Sequence, residues 1–187
     1  MQEVRILGIA GSLRRGSYNR SALRAAASLL PEGASLEAFD LEGIPVFNQD
    51  LEDPLPARVA ELKAGIRAAD AVLICTPEYN YSIPGVLKNA IDWGSRPYGD
   101  NAWKGKPVAV MGASPGMAGT VRAQNHLRHC FVFLDMHPVN QPEVLIARAH
   151  ERFDEQGNLT DAGTREIVGR LLAALVEWTR RLRGDAR

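Results

Sequence analysis

The sequence predicts an α/β protein built on a doubly wound parallel sheet of five strands in the order 2-1-3-4-5. Two observations predict it. Apolar runs and amphipathic runs alternate along the whole chain, the pattern of strands followed by crossover helices. One of the apolar runs, Ala71 to Cys75, is short and uninterrupted, as suits a parallel strand buried on both faces.

The elements follow in order. Val4 to Ala10 is the first strand, and Ala22, Leu23, Ala26, Leu29 and Leu30 then recur at helical spacing. Leu36 to Phe39 is a weaker second strand. Leu55, Val59, Leu62 and Ile66 repeat at i, i+4, i+7 and i+11, which predicts an amphipathic helix. After the strand Ala71 to Cys75, Ile83 to Trp93 reads as helical, with Pro84 tolerated in the first turn. Arg96 to Gly105 reads as a polar surface crossover. Val108 to Gly112 is the fourth strand, Val121 to Leu134 the fourth helix and Val144 to Ala147 the fifth strand. The last helix runs from about Asp161 to Leu182, with Ile167, Val168, Leu171, Leu172, Leu175 and Val176 on one stripe and Thr160 or Asp161 as its N-cap.

A chain of 187 residues supports one well-buried core, so residues 1–187 are expected to form a single domain. Twenty-two basic side chains balance 22 acidic ones, which leaves no field to steer the chain toward nucleic acid or an anionic membrane. The arginines near the end (Arg180, Arg181, Arg183, Arg187) read as a solvated helix terminus. No apolar run approaches the ~18 residues of a membrane span, and the N-terminus shows no secretory pattern. Cys75 and Cys130 read as core thiols in a reducing compartment, so the expected location is cytoplasmic. His126 and His129 share a helix at i, i+3, but no third ligand accompanies them and no metal site is expected.

Three loops follow the carboxyl ends of the first, third and fourth strands, which are neighbours in the expected order. The first, Gly11 to Asn19 (GSLRRGSYN), joins a strand to a helix and so presents backbone N–H groups and a helix N-terminus to an anion. Ser12, Ser17 and Asn19 add neutral donors, and Arg14 or Arg15 a guanidinium shaped for phosphate. Ser17 and Tyr18 stand where a triphosphate loop needs Lys and Ser or Thr. Gly8 and Gly11 are spaced wrongly for a dinucleotide fingerprint, so Asp40 is a poor candidate for gripping a ribose. The ligand class indicated is a phosphate monoester.

The second loop, Thr76 to Gly85 (TPEYNYSIPG), is braced by Pro77 and Pro84. Its Tyr79 and Tyr81 supply flat apolar surface, and Asn80 an amide able to donate and accept at a heteroaromatic edge. Glu78 has no histidine near it in sequence and is expected to act through its backbone. The third loop sets Gly112, Gly116 and Gly119 around Ser114 and Pro115, which permits close approach of backbone to a ligand. No nucleophile-and-base arrangement is visible, and no residue is assigned a catalytic role of its own.

The two first signatures together, GSLRRGSYN and PEYNYSIPGVLKNAIDW (Pro77 to Trp93), resemble those of the NAD(P)H-dependent FMN reductases, in particular the bacterial quinone, chromate and azo-dye reductase branch. The segment Asp40 to Glu52 and the chain length fit as well. The resemblance implies a flavodoxin-like fold, FMN as cofactor and NADPH or NADH as reductant. By it, Ser12, Arg14, Ser17 and Asn19 would hold the FMN phosphate. Pro77, Glu78, Tyr79 and Asn80 would line the isoalloxazine, with Ser114 and Gly116 near the ring or ribityl chain. Quinones, azo dyes or chromate-like anions would be the oxidants, and the assembly a homodimer or homotetramer. Helices Ile83 to Trp93 and Val121 to Leu134, with Arg122 and Glu143, are the candidates for that contact. Release of reduced FMN to a partner enzyme, or a flavodoxin-type electron carrier, are the alternative functions. The phosphate loop has a direct test. Arg14→Ala is expected to weaken FMN binding by ~1.5–3 kcal/mol, the range for a charge-assisted hydrogen bond, with the circular-dichroism spectrum unchanged.

Overall fold

A computed structural model describes residues 2–184, so Arg187 lies outside the described residues. Strand β1 (Val4–Ala10) pairs in parallel with β2 (Ala34–Phe39) on one side and β3 (Ala71–Cys75) on the other, and β3 pairs in parallel with β4 (Pro107–Ala113). The order is therefore β2-β1-β3-β4, completed beyond β4 by two short pieces. Their registers are Val4 with Ala34, Ile6 with Ala71 and Val72 with Val108.

The fifth strand expected at Val144 to Ala147 is present, and a second short piece precedes it at the same edge. β5 (His137–Pro138) pairs with the start of β4, and β6 (Val144–Ile146) with its end, Met111 lying opposite Val144. Pro138 and Pro142 supply no N–H to a ladder, which confines this stretch to a sheet edge and breaks its pairing. Together the two pieces occupy the fifth position, and the fold is flavodoxin-like.

All residues of β3 and β4 are buried, which explains why their sequences are continuously apolar rather than alternating. On β1 the alternation of side chains sorts residues between two cores. Val4 and Ile6 pack with Leu23 of α1 (Tyr18–Ala27) and with Leu171, Leu172 and Leu175 of the last helix. Leu7 and Ile9 face the opposite layer of α2 (Ala57–Ala68), α3 (Gly85–Gly94) and α4 (Val121–Leu134), through Leu62, Leu87 and Leu127. A single helical turn, α5 (Ala149–Arg152), precedes the long α6 (Ala162–Arg183).

Helix limits follow local chemistry. Ser17 caps α1, its Oγ accepting from the N–H of Asn19 at 3.2 Å. Asp161 caps α6, accepting from the Thr164 N–H at 2.8 Å and its hydroxyl at 2.6 Å, and these bonds hold its carboxyl below the usual aspartate range. α3 starts later than its pattern suggests. Pro84 sits at the cap in an extended conformation (φ −63°, ψ 143°), so Ile83 and Pro84 precede the helix.

The excursion from Arg96 to Gly105 is not the surface crossover that its polarity suggests. Lys63 is 1% exposed, and its ammonium donates to the Asp100 carbonyl at 2.9 Å and to the Arg96 carbonyl, and pairs with the Asp100 carboxylate at 2.7 Å. Trp103 is buried with its Nε1–H on the Ile91 carbonyl at 3.1 Å. A buried ammonium needs such a full set of acceptors, and the loop supplies them.

Two glycines should respond oppositely to alanine. At Gly112 a Cβ would lie 2.0 Å from Thr120 Oγ1 and 2.2 Å from the Thr76 carbonyl, whereas at Gly169, inside α6, nothing lies within 4 Å. In urea titrations Gly112→Ala is expected to cost about 3 kcal/mol, and Gly169→Ala to add roughly 0.5–1 kcal/mol.

Candidate active site

The parallel pairing of β1, β3 and β4 sends three loops to one edge of the sheet, and the backbone stitches them together. The N–H of Gly11 donates to the Cys75 carbonyl at 2.8 Å, and the N–H of Thr76 to the Met111 carbonyl at 2.9 Å. Across the top, Asn19 is 2% exposed, and its amide both donates to and accepts from the main chain of Ala113, each bond 2.9 Å. The first helix is thereby bolted to the end of β4.

Within the first loop, Ser12 and Ser17 are buried, and each Oγ accepts a backbone N–H, from Arg14 at 3.3 Å and from Asn19 at 3.2 Å. Accepting in this way leaves each hydroxyl hydrogen free to donate. Arg14 and Arg15 are exposed, and among the described residues neither forms an ion pair. The first turn of α1 contains no acidic side chain. Uncompensated cations, serine hydroxyls and a helix N-terminus make up a donor set that fits a phosphate. The residues expected to hold a phosphate thus converge, except that both ends of the Asn19 amide are engaged by Ala113. Asn19 positions the loop.

The second loop turns sharply. Tyr79 and Ser82 exchange backbone hydrogen bonds of 3.1 and 2.9 Å, while Asn80 (φ 50°) and Tyr81 (φ 65°) are both left-handed, as in a type I′ turn. Asn tolerates this conformation and Tyr does not, so the turn stores strain at Tyr81. Tyr79 and Tyr81 remain 52% and 67% exposed, the Tyr81 ring with the Arg122 guanidinium over one face. Pro77 is buried, its carbonyl accepting from the Thr76 hydroxyl at 2.8 Å.

Glu78 is turned onto the start of α4. Its Oε2 accepts from the N–H groups of Arg122 at 2.9 Å and Ala123 at 3.2 Å, and its Oε1 from the Arg122 guanidinium at 3.0 Å. Thr120 at the helix cap makes no side-chain cap bond, so Glu78 caps α4 from a distant loop. Sequence reasoning missed this use of Arg122. The signal was the first turn of α4, which follows Thr120 with no acidic residue to meet its amides. His126, one turn on, shares a 2.9 Å hydrogen bond with Ser82.

The third loop is folded on itself. Ser114 Oγ accepts from the Gly116 N–H at 3.0 Å, and the Ser114 carbonyl from the Ala149 N–H at 3.0 Å. Pro115 to Ala118 stay exposed beside the other two loops. The helix α3 also carries residues whose long-range contacts were not legible in the sequence. Asn89 accepts from the Phe47 N–H at 2.7 Å and donates to the Pro45 carbonyl at 2.8 Å, where Trp93 Nε1–H donates too, at 2.8 Å. They pin the segment 45–47 to α3.

A cavity of about 410 Å³ opens between α1 and the β2 edge, sharing Ser12 with the first loop but no residue of the other two. Its polar wall is closed by the Arg20–Asp40 ion pair, which leaves Asp40 unavailable to a ribose. Cys75, behind the site, is an inert thiol, since full burial pushes its pKa far above the ordinary value. Among the described residues no three His, Cys, Asp or Glu side chains group to hold a metal, and no helix is long and apolar enough to cross a membrane.

A doubly wound sheet with an anion-binding first loop and an aromatic bend on the neighbouring strand is the architecture of a flavin-mononucleotide protein. The family model for NADPH-dependent FMN reductases matches residues 4–151, and the chain belongs to that family. It is an FMN- and NAD(P)H-dependent oxidoreductase. It is 54% identical over 183 residues to an NAD(P)H-dependent FMN reductase of Pseudomonas aeruginosa, covering 97% of this chain and 98% of that one. It is 42% identical to a 2-hydroxy-1,4-benzoquinone reductase of a Burkholderia species, with 95% and 97% covered. Among solved structures it is similar to the flavoenzyme NAD(P)H:(acceptor) oxidoreductase FerB of Paracoccus denitrificans, at 37% identity and TM-score 0.88, covering 95% of this chain and 98% of that one.

The Asn19 bridge has a measurable weight. Asn19→Ala would leave the buried N–H and carbonyl of Ala113 without partners, and is expected to cost about 2–4 kcal/mol in chemical denaturation. Asn19→Asp, which keeps only the acceptor, should lose a similar amount.

Proposed function

We propose that the chain is a quinone reductase that works by ping-pong exchange of NAD(P)H and oxidant over one bound FMN. The observation that carries the reading is a division of charge at the site. The cations of the first loop are left without carboxylate partners, while Glu78, the carboxylate of the second, is committed to α4. An anionic group completes the first loop, and an uncharged ring system fits the second.

In this reading Ser12, Ser17, Arg14 and the N-terminus of α1 hold the phosphate, with Asn19 fixing their position. The backbone of Pro77 to Asn80 and the ring of Tyr79 would line the isoalloxazine, with Ser114 and Gly116 near the ring or ribityl chain. FMN, when bound, supplies the acceptance of hydride from the nicotinamide and the return of two electrons to the oxidant. The protein needs no general acid–base pair of its own for that chemistry. Its task is to orient the ring and to aim N–H dipoles of the bend at the edge where reduction places negative charge. The exposed tyrosines and the loop Pro115 to Ala118 offer few polar anchors, so discrimination among flat oxidants is expected to be weak. Quinones are the oxidant favoured by the relatives; azo dyes and chromate-like anions are further acceptors to assay.

The same reading gives a cytoplasmic homodimer or homotetramer. Val132 and Phe133 on α4 are 82% and 79% exposed, and Tyr98 is 75% exposed near them, an apolar surface suited to a second copy of the chain.

Purified protein is expected to carry yellow colour through gel filtration, to bleach within the mixing time on addition of NADPH, and to regain colour with benzoquinone. Initial rates over a grid of NADPH and quinone should give parallel double-reciprocal lines. Intersecting lines would rule out ping-pong exchange, and protein that takes up no FMN would remove the reading.

A further inference from the structure

The turn from Tyr79 to Ser82 is held in an unfavourable conformation and is closed by two backbone hydrogen bonds of its own. A tyrosine at φ 65° is strained against an extended or helical backbone. The compensation comes from α4. Glu78, immediately before the turn, is bound to the first turn of α4 by two backbone N–H groups. The Arg122 guanidinium bonds the other oxygen of Glu78, and the same group lies over the ring of Tyr81, its Cζ 3.9 Å from the ring centroid. Ser82 reaches His126 on the same helix. Three of the five residues 78–82 thus contact α4 through their side chains.

Burial decides how much such a pair can do. The side chain of Glu78 is 10% exposed and that of Arg122 41% exposed, so this is neither a freely solvated surface pair nor a buried one. Charge-assisted bonds to backbone amides at a helix N-terminus are also favoured by the helix dipole. The carboxylate side of the clamp is therefore firm, and Arg122 transmits it to Tyr81 through a cation–π contact.

We propose that Glu78 and Arg122 form a positioning pair that holds the 79–82 turn in its left-handed form and thereby sets the affinity of the site for the flavin ring. This rests on the placement of the isoalloxazine against Pro77 to Asn80 given above. Neither residue touches the reacting atoms; both act through the turn.

The test uses Arg122→Met, Glu78→Gln and the double variant. Arg122→Met keeps the two backbone bonds from Glu78 to α4, so the helix cap is retained while the link to Tyr81 is cut. Two quantities are read. The first is amide hydrogen exchange at Tyr79 and Ser82 in the FMN-free protein. The second is the FMN dissociation constant from fluorescence quenching, together with the position of the visible flavin bands. Both single variants are expected to speed exchange at the turn by roughly tenfold and to weaken FMN binding by a similar factor, in line with the strain released. The double variant should be no worse than the weaker single one, because the two residues act as one unit. Glu78→Ala should lose more than Glu78→Gln, since glutamine keeps an oxygen for the α4 amides. Wild-type exchange at the turn in Arg122→Met, or additive losses of FMN affinity in the double variant, would overturn the proposal. Should the wild-type protein bind no FMN, the flavin placement falls, and the exchange rates alone decide whether the clamp holds the turn.

Discussion

The site depends on β1, β3 and β4 lying side by side, parallel and buried on both faces. Burial requires every backbone polar group of these strands to be paired, and the ladder continues past their ends, from Gly11 to Cys75 and from Thr76 to Met111. The loops therefore leave the sheet in a set relation to each other. The two-way bond between Asn19 and Ala113 extends the same constraint to the first helix. Gly112 belongs to it as well, since the chain from Thr76 and the side chain of Thr120 pass so close that no Cβ fits.

On this frame the charges are sorted rather than balanced. Acidic groups near the site are already engaged, Glu78 with the start of α4 and Asp40 with Arg20. Arg14 and Arg15 are not, and neither is the positive end of α1. Such a surface is favourable to an anion at one end and neutral at the other, the polarity of a phosphorylated ring compound. Family membership and this distribution agree, though they arise from independent observations.

Much of this was legible in the chain itself, for identifiable reasons. The continuous apolar run Ala71 to Cys75 reports double burial, and the i, i+3, i+7 repeat from Val59 reports one buried face; both are local patterns. Asp161 as a cap was legible because its partner is three residues away. The short piece β5 was not, because its pairing with β4 depends on a register set far off in sequence. Nor was the anchoring of residues 96–105, where a lysine on α2 finds acceptors 33 to 37 residues later.

The sequence alone determined the order of the main strands and helices, the donor-rich character of residues 11–19 and the aromatic character of residues 76–85, because spacing and residue type act over a few positions. Tertiary structure decided which side chains stay open at the loops and which hold the frame. It turned Glu78 onto α4, engaged both ends of the Asn19 amide with Ala113 and laid Arg122 over Tyr81. These contacts join residues 41 to 94 positions apart, so their energy exists only after the sheet has brought its loops together.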